Sequence, residues 1–116
     1  MFIDSHCHLD FPDLAKDLDV LLRNMQENQV THALCVSVDL PNFPRVLALA
    51  EKHQNLFASV GIHPDYEDQR EPSADELAGL ADHPKIIAIG ETGLDYYRLQ
   101  GDLEWIAMKA LDKDRS

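Results

Sequence analysis

Cysteine, cationic side chains and long apolar runs are all scarce in this sequence, and each shortage closes off a class of protein. Two cysteines, Cys7 and Cys35, in 116 residues cannot build the disulfide framework of a small secreted domain. No apolar run approaches the ~18–20 residues that a membrane-spanning helix needs. The opening Met1-Phe2-Ile3-Asp4-Ser5-His6 carries neither the basic nor the apolar stretch of a secretory leader. A cytoplasmic address, with no membrane partner, is the expectation. Lysine and arginine number 10 against 21 aspartates and glutamates, for a net charge of −11. A surface that acidic repels nucleic acid and anionic lipid. Any chemistry on phosphates therefore calls for a bound cation.

What is present is the pattern of an α/β protein. Leu14, Leu18, Leu21, Leu22 and Met25 recur at helical spacing, which predicts an amphipathic helix from Asp13 to Asn28. Val46, Leu49, Ala50 and His53 mark a second helix. Ser73-Ala74-Asp75-Glu76 has the form of a capping box and opens a third, through about Ala81. Residues 102–111 read as a fourth. Between them lie short apolar runs with the length of strands: about Phe2 to Ser5, Ala33 to Val36, Leu56 to Val60, and Ile86 to Ile89. Near-continuous apolar strands alternating with helices imply a parallel sheet covered by helices. Four βα units in 116 residues set against ~250 residues for a closed (β/α)8 barrel give the N-terminal half of a TIM barrel.

The polar residues that stand out sit at strand ends. Asp4-Ser5-His6-Cys7-His8 closes the first strand, where alternation puts Asp4, His6 and His8 on one face. Two imidazoles at that spacing are a sensible pair of metal ligands, and Asp4 is placed to orient one of them. The ordinary alternative is two surface histidines past a strand end. Glu91, between Gly90 and Gly93, follows the fourth strand, and in a parallel barrel all strand C-termini open on one face. Glu91 can then reach the same cation, or else is a solvated carboxylate in a glycine-rich turn. His63, in Gly61-Ile62-His63-Pro64, ends the third strand on that rim, either as a contact to substrate phosphate, as a proton donor, or as a turn histidine. His32, His53 and His83 read as structural, and Cys7, facing the helices, is assigned no chemistry.

Taken together, Asp4-Ser5-His6-Cys7-His8-Leu9-Asp10, Gly61-Ile62-His63-Pro64 and Gly90-Glu91-Thr92-Gly93-Leu94-Asp95-Tyr96 resemble the TatD family of metal-dependent deoxyribonucleases. The match in spacing and order runs from residue 1 to about residue 105, under half of a family member. The resemblance implies a metal-dependent barrel hydrolase with one or two divalent cations, magnesium or manganese first and zinc as the further candidate. By the same resemblance His6 and His8 are metal ligands, Glu91 is a catalytic and bridging ligand, and His63 and Asp95 contact substrate. The implied reaction is 3′-to-5′ cleavage of single-stranded DNA by metal-activated water.

From about Ile106 the chain leaves the family pattern, so residues 106–116 are expected to be an out-of-frame tail and residues 1–105 the family portion. The later-strand ligands of the family have no counterpart in this sequence. A half barrel exposes its first and fourth strands as open edges, so self-association is expected. Two alternatives stand beside the nuclease reading: an inactive remnant with weak metal binding, and another amidohydrolase-like barrel hydrolase. Against the latter, Lys85 lies at the wrong end of its strand to serve as a carbamylated ligand.

Overall fold

A computed structural model of the chain describes residues 1–64 and 71–93. Four strands, β1 (Phe2–Cys7), β2 (Val30–Cys35), β3 (Leu56–Val60) and β4 (Ile86–Ile89), pair in the order β1-β2-β3-β4. Every pairing is parallel. The helices are α1 (Pro12–Ala15), α2 (Leu18–Glu27), α3 (Phe43–Lys52) and α4 (Ala74–Ala81). Sequential parallel strands joined by helical crossovers are the repeating unit of the expected half barrel. No helix among the described residues is long and apolar enough to cross a membrane.

Core formation follows from the apolar strands. Ala33, Cys35, Leu56, Ala58, Val60 and Ile86 from the sheet meet Phe43, Val46 and Ala50 of α3. Leucines and Met25 of α2, and Leu77 and Leu80 of α4, pack against that centre. The outer strands are different. Phe2, Ile3, Ile87 and Ile89 are 65%, 62%, 59% and 48% exposed, so β1 and β4 carry apolar side chains into solvent at the two sheet edges.

The helix expected over residues 13–28 is instead two pieces. Pro12, with φ already helical and no N–H to satisfy, opens α1. Asp17 then leaves helical geometry, its N–H bonding Leu14 O at 3.1 Å, and becomes the N-cap of α2. Aspartate favours that position over a helix interior. Asn28 ends α2, where its amide side chain and its N–H both donate to Asn24 O. The predicted capping box of α4 is in place: Ser73 Oγ accepts from Glu76 N–H at 3.1 Å. The first strand runs to Cys7 rather than Ser5. Within it Ser5 and His6 stand opposite the single residue Leu34, between the pairs Asp4–Ala33 and Cys7–Cys35. Such a bulge re-aims side chains at a strand end. The fourth helix expected at 102–111, the substrate contact expected of Asp95, and the 106–116 tail lie outside the described residues.

Candidate metal centre

Three strand ends converge at the C-terminal rim of the sheet. Among the described residues, His6, His8 and Glu91 form a group whose ligand atoms all lie within 4.8 Å of one another. His6 Nε2 is 3.7 Å from Glu91 Oε1, and His63 Nε2 is 3.9 Å from that same oxygen. A cation with ligand bonds of ~2.1 Å holds neighbouring donors roughly 3–3.5 Å apart and opposed donors roughly 4.2 Å apart. The 4.8 Å limit exceeds even the opposed spacing by about half an ångström, so the donors must draw in to share one ion. The 3.7 and 3.9 Å contacts are too long for a direct hydrogen bond between imidazole and carboxylate.

Local structure aims each donor. His8 Nδ1 lies 3.0 Å from Val36 O. A carbonyl only accepts, so Nδ1 carries the proton and Nε2 the free lone pair. The Phe11 ring stacks on His8 at 4.5 Å and 16°, which fixes the imidazole plane, and His6 meets His8 edge-on at 5.1 Å. Asp4 Oδ1 accepts the His6 backbone N–H at 3.0 Å, and the polar contact on the His8 imidazole is the Val36 carbonyl. His63 is anchored through its N–H to Val38 O at 2.8 Å, and is largely covered.

Glu91 is brought in by backbone. Its N–H donates to Ser37 O at 3.2 Å, while Gly90 N–H donates to Val60 O at 2.9 Å. Gly61 allows this approach, because a Cβ there would stand 2.6 Å from both C and O of Gly90. The sequence reading missed Ser37, Ser59 and the purpose of Gly61. The available signal was a serine inside one apolar strand, Ser59, and another directly after the apolar run ending at Val36.

Neighbouring groups are quieter. Cys7 Sγ sits 3.4 Å from Leu34 O and 3.9 Å from Cys35 Sγ. The contact with Cys35 and burial push the Cys7 thiol well above its ordinary pKa, which leaves it a protonated packing group. Burial also raises the carboxyl of Asp10, opposed by its own amide and by Arg45. Lys85 Nζ bonds the carbonyls of His53, Gln54 and Leu56 at 2.8–3.0 Å, at the opposite end of the sheet. It does not reach the rim, and among the described residues no lysine stands beside His6, His8 and Glu91.

The family model for TatD-related DNase matches residues 3–111. The uncharacterized metal-dependent hydrolase YjjV of Escherichia coli K12 is 39% identical over 99 residues, covering 83% of this chain and 38% of that protein. The crystal structure of the same organism's YjjV, a TatD homolog, superposes with a TM-score of 0.75 at 35% identity, over 97% of this chain and 44% of that one. A TatD-family hydrolase from Entamoeba histolytica gives a TM-score of 0.73 at 30% identity, over 98% and 43%. The chain thus spans about two fifths of the length of the curated relatives it matches.

Proposed function

Because the chain belongs to the TatD-related DNase family, whose matched relatives are named metal-dependent hydrolases, we propose that its rim site serves a divalent-cation hydrolase acting on phosphodiester bonds of DNA. The observation that carries this reading is the convergence of His6, His8 and Glu91 within 4.8 Å. Two imidazoles and a carboxylate suit manganese, with magnesium and zinc as the alternatives the site chemistry admits. Such an ion, when bound, supplies Lewis-acid polarisation of a phosphoryl oxygen and activation of water at neutral pH. It also supplies positive charge that a chain of net −11 lacks at a polyanion's landing place.

The chain's own residues do the rest. His8, its ring plane set by Phe11 and its tautomer by Val36 O, offers one fixed lone pair. Glu91 faces both His6 and His63 through a single oxygen, a carboxylate placed to be shared. His63, 3.9 Å from that oxygen, is held where it can hydrogen-bond a phosphate oxygen or hand a proton to a leaving alkoxide. We assign single-stranded DNA, attacked from its 3′ end, as the substrate, and the cytoplasm as the place of action.

Manganese titration of the full chain, followed by electron paramagnetic resonance, tests the site. Glu91→Gln and His6→Ala are each expected to weaken binding on the order of 100-fold, about 2.7 kcal/mol. Shortening of a 5′-labelled single-stranded oligonucleotide, with manganese and not with chelator, tests the reaction. Binding lost in both variants without any cleavage by the parent would leave the chain a cation site and remove the catalysis. Binding unchanged in both variants would remove the site.

A further inference from the structure

Two buried serines, one in β3 and one just past the end of β2, need an explanation. Ser37 and Ser59 are 1% and 2% exposed, in positions where alanine or valine would pack without a polar group to satisfy. Both hydroxyls are consumed in one directed circuit. Ser37 N–H donates to Ser59 Oγ at 3.0 Å, and Ser59 Oγ in turn donates to Gly90 O at 3.0 Å. Ser37 Oγ donates to Ser59 O at 2.6 Å. Ser37 O then accepts the Glu91 N–H at 3.2 Å. The directions are fixed, because an amide can only donate and a carbonyl only accept. The circuit spans from the residues after β2 across β3 to the residues after β4.

One residue earlier, Val36 ties the other side of the site. Its N–H donates to Cys7 O at 2.8 Å and its carbonyl accepts from His8 Nδ1 at 3.0 Å. Two of the three donor side chains are therefore referenced to the same dipeptide, Val36-Ser37. We infer that the Ser37–Ser59 hydroxyl pair is the positioning device of the cation site: it sets the separation of Glu91 from His8 and touches neither ion nor substrate. The inference rests on the cation-site reading above. A constellation of this kind tolerates only ~0.5 Å of drift before it stops working.

Manganese affinity of the full chain, read by electron paramagnetic resonance, again provides the test. Ser59→Ala is expected to weaken binding about 10-fold, as loss of a supporting hydrogen bond behind a metal ligand does, and Ser37→Ala by a similar factor. Ser59→Thr, which keeps the hydroxyl, should stay within about threefold of the parent. Thr31→Val deletes a hydroxyl that bonds Phe2 O at the far end of the strands, and should leave affinity untouched. Circular dichroism confirms that each variant is folded. Should Ser59→Ala not fold, Ser59→Cys, of similar volume and with only a weak donor, is read in its place. Parent-like affinity in the Ser59 and Ser37 variants, with His6→Ala and Glu91→Gln still defective, overturns the positioning role and leaves the site standing. Parent-like affinity in His6→Ala and Glu91→Gln as well overturns the cation reading, and the inference with it.

Discussion

The two ends of this small sheet handle polar groups in opposite ways. At the end where the strands begin, donors meet acceptors. Lys85 Nζ is surrounded by three carbonyls and lies 4.4 Å over the Phe57 ring. Asn55 donates to Thr31 O, Thr31 Oγ1 to Phe2 O, and the Lys85 N–H to His83 Nδ1. At the end where the strands finish, metal-ligating residue types gather: the Nε2 atoms of His6 and His63 face one Glu91 oxygen at 3.7 and 3.9 Å, beyond direct hydrogen-bond reach. One end is tied by direct hydrogen bonds, and the other brings together groups whose spacing suits a shared ligand. Parallel barrels divide their labour along the same axis.

The comparison breaks most severely at Gly61. Replacing it with alanine puts a methyl group 2.6 Å from the Gly90 carbonyl, a contact that only backbone movement relieves. Overpacking of this kind costs about 1–3 kcal/mol, and the displaced backbone is the one that carries Glu91. Gly61→Ala should lower the urea midpoint and weaken manganese binding more than 10-fold. Stability lost with binding intact would show that Glu91 is not held by that contact.

Lys85→Met sharpens the same contrast from the other end. Methionine keeps the apolar stem and removes the ammonium, along with its three carbonyl partners and the contact with Phe57. Water can re-solvate part of what is lost, so about 1–2 kcal/mol is the expected destabilisation. Manganese affinity should not change. A weakened site in this variant would mean that the two ends are coupled through the sheet, and the division of labour would fail.

The strands and the grouping of His6, His8 and Glu91 were legible because both rest on one-dimensional patterns. Ile86 to Ile89 is a strand in sequence and in space, and a polar residue just past a parallel strand's end must reach the common rim. His8, His63 and Glu91 follow from that rule, and His6 from the alternation that puts it on the same face as His8. What escaped depends on pairing. The β1 bulge exists only relative to Leu34 of β2, and a single strand's alternation cannot reveal it. Asp4 bears the side chain that suggested imidazole orientation, yet the group that orients His8 is the backbone carbonyl of Val36, to which residue type gives no clue. Ser37 and Ser59 become informative only once register brings their hydroxyls together. The break at Asp17 was signalled by an aspartate in mid-helix, but the leucine periodicity running through it masked the sign.

The smallest expected effect concerns what each end leaves unsatisfied. Two buried side-chain atoms among the described residues have no hydrogen-bond partner: Asp10 Oδ1 near the rim and His53 Nε2 at the opposite end. For Asp10 the burial raises the carboxyl's pKa above its unfolded value. The native state then binds a proton more tightly than the unfolded chain does. Its contribution to stability is full below the unfolded carboxylate range, near pH 4, and is lost as pH rises through the native value. Asp10→Asn removes that titration. Parent and variant melting temperatures should differ by a constant amount at acid pH, and the gap should then move in the variant's favour by neutral pH, by less than about 1 kcal/mol. Melts between pH 4 and 7 measure it. A gap that stays flat across that range would mean the carboxylate is solvated after all, and that the rim stores no cost beyond the one its ligand set carries.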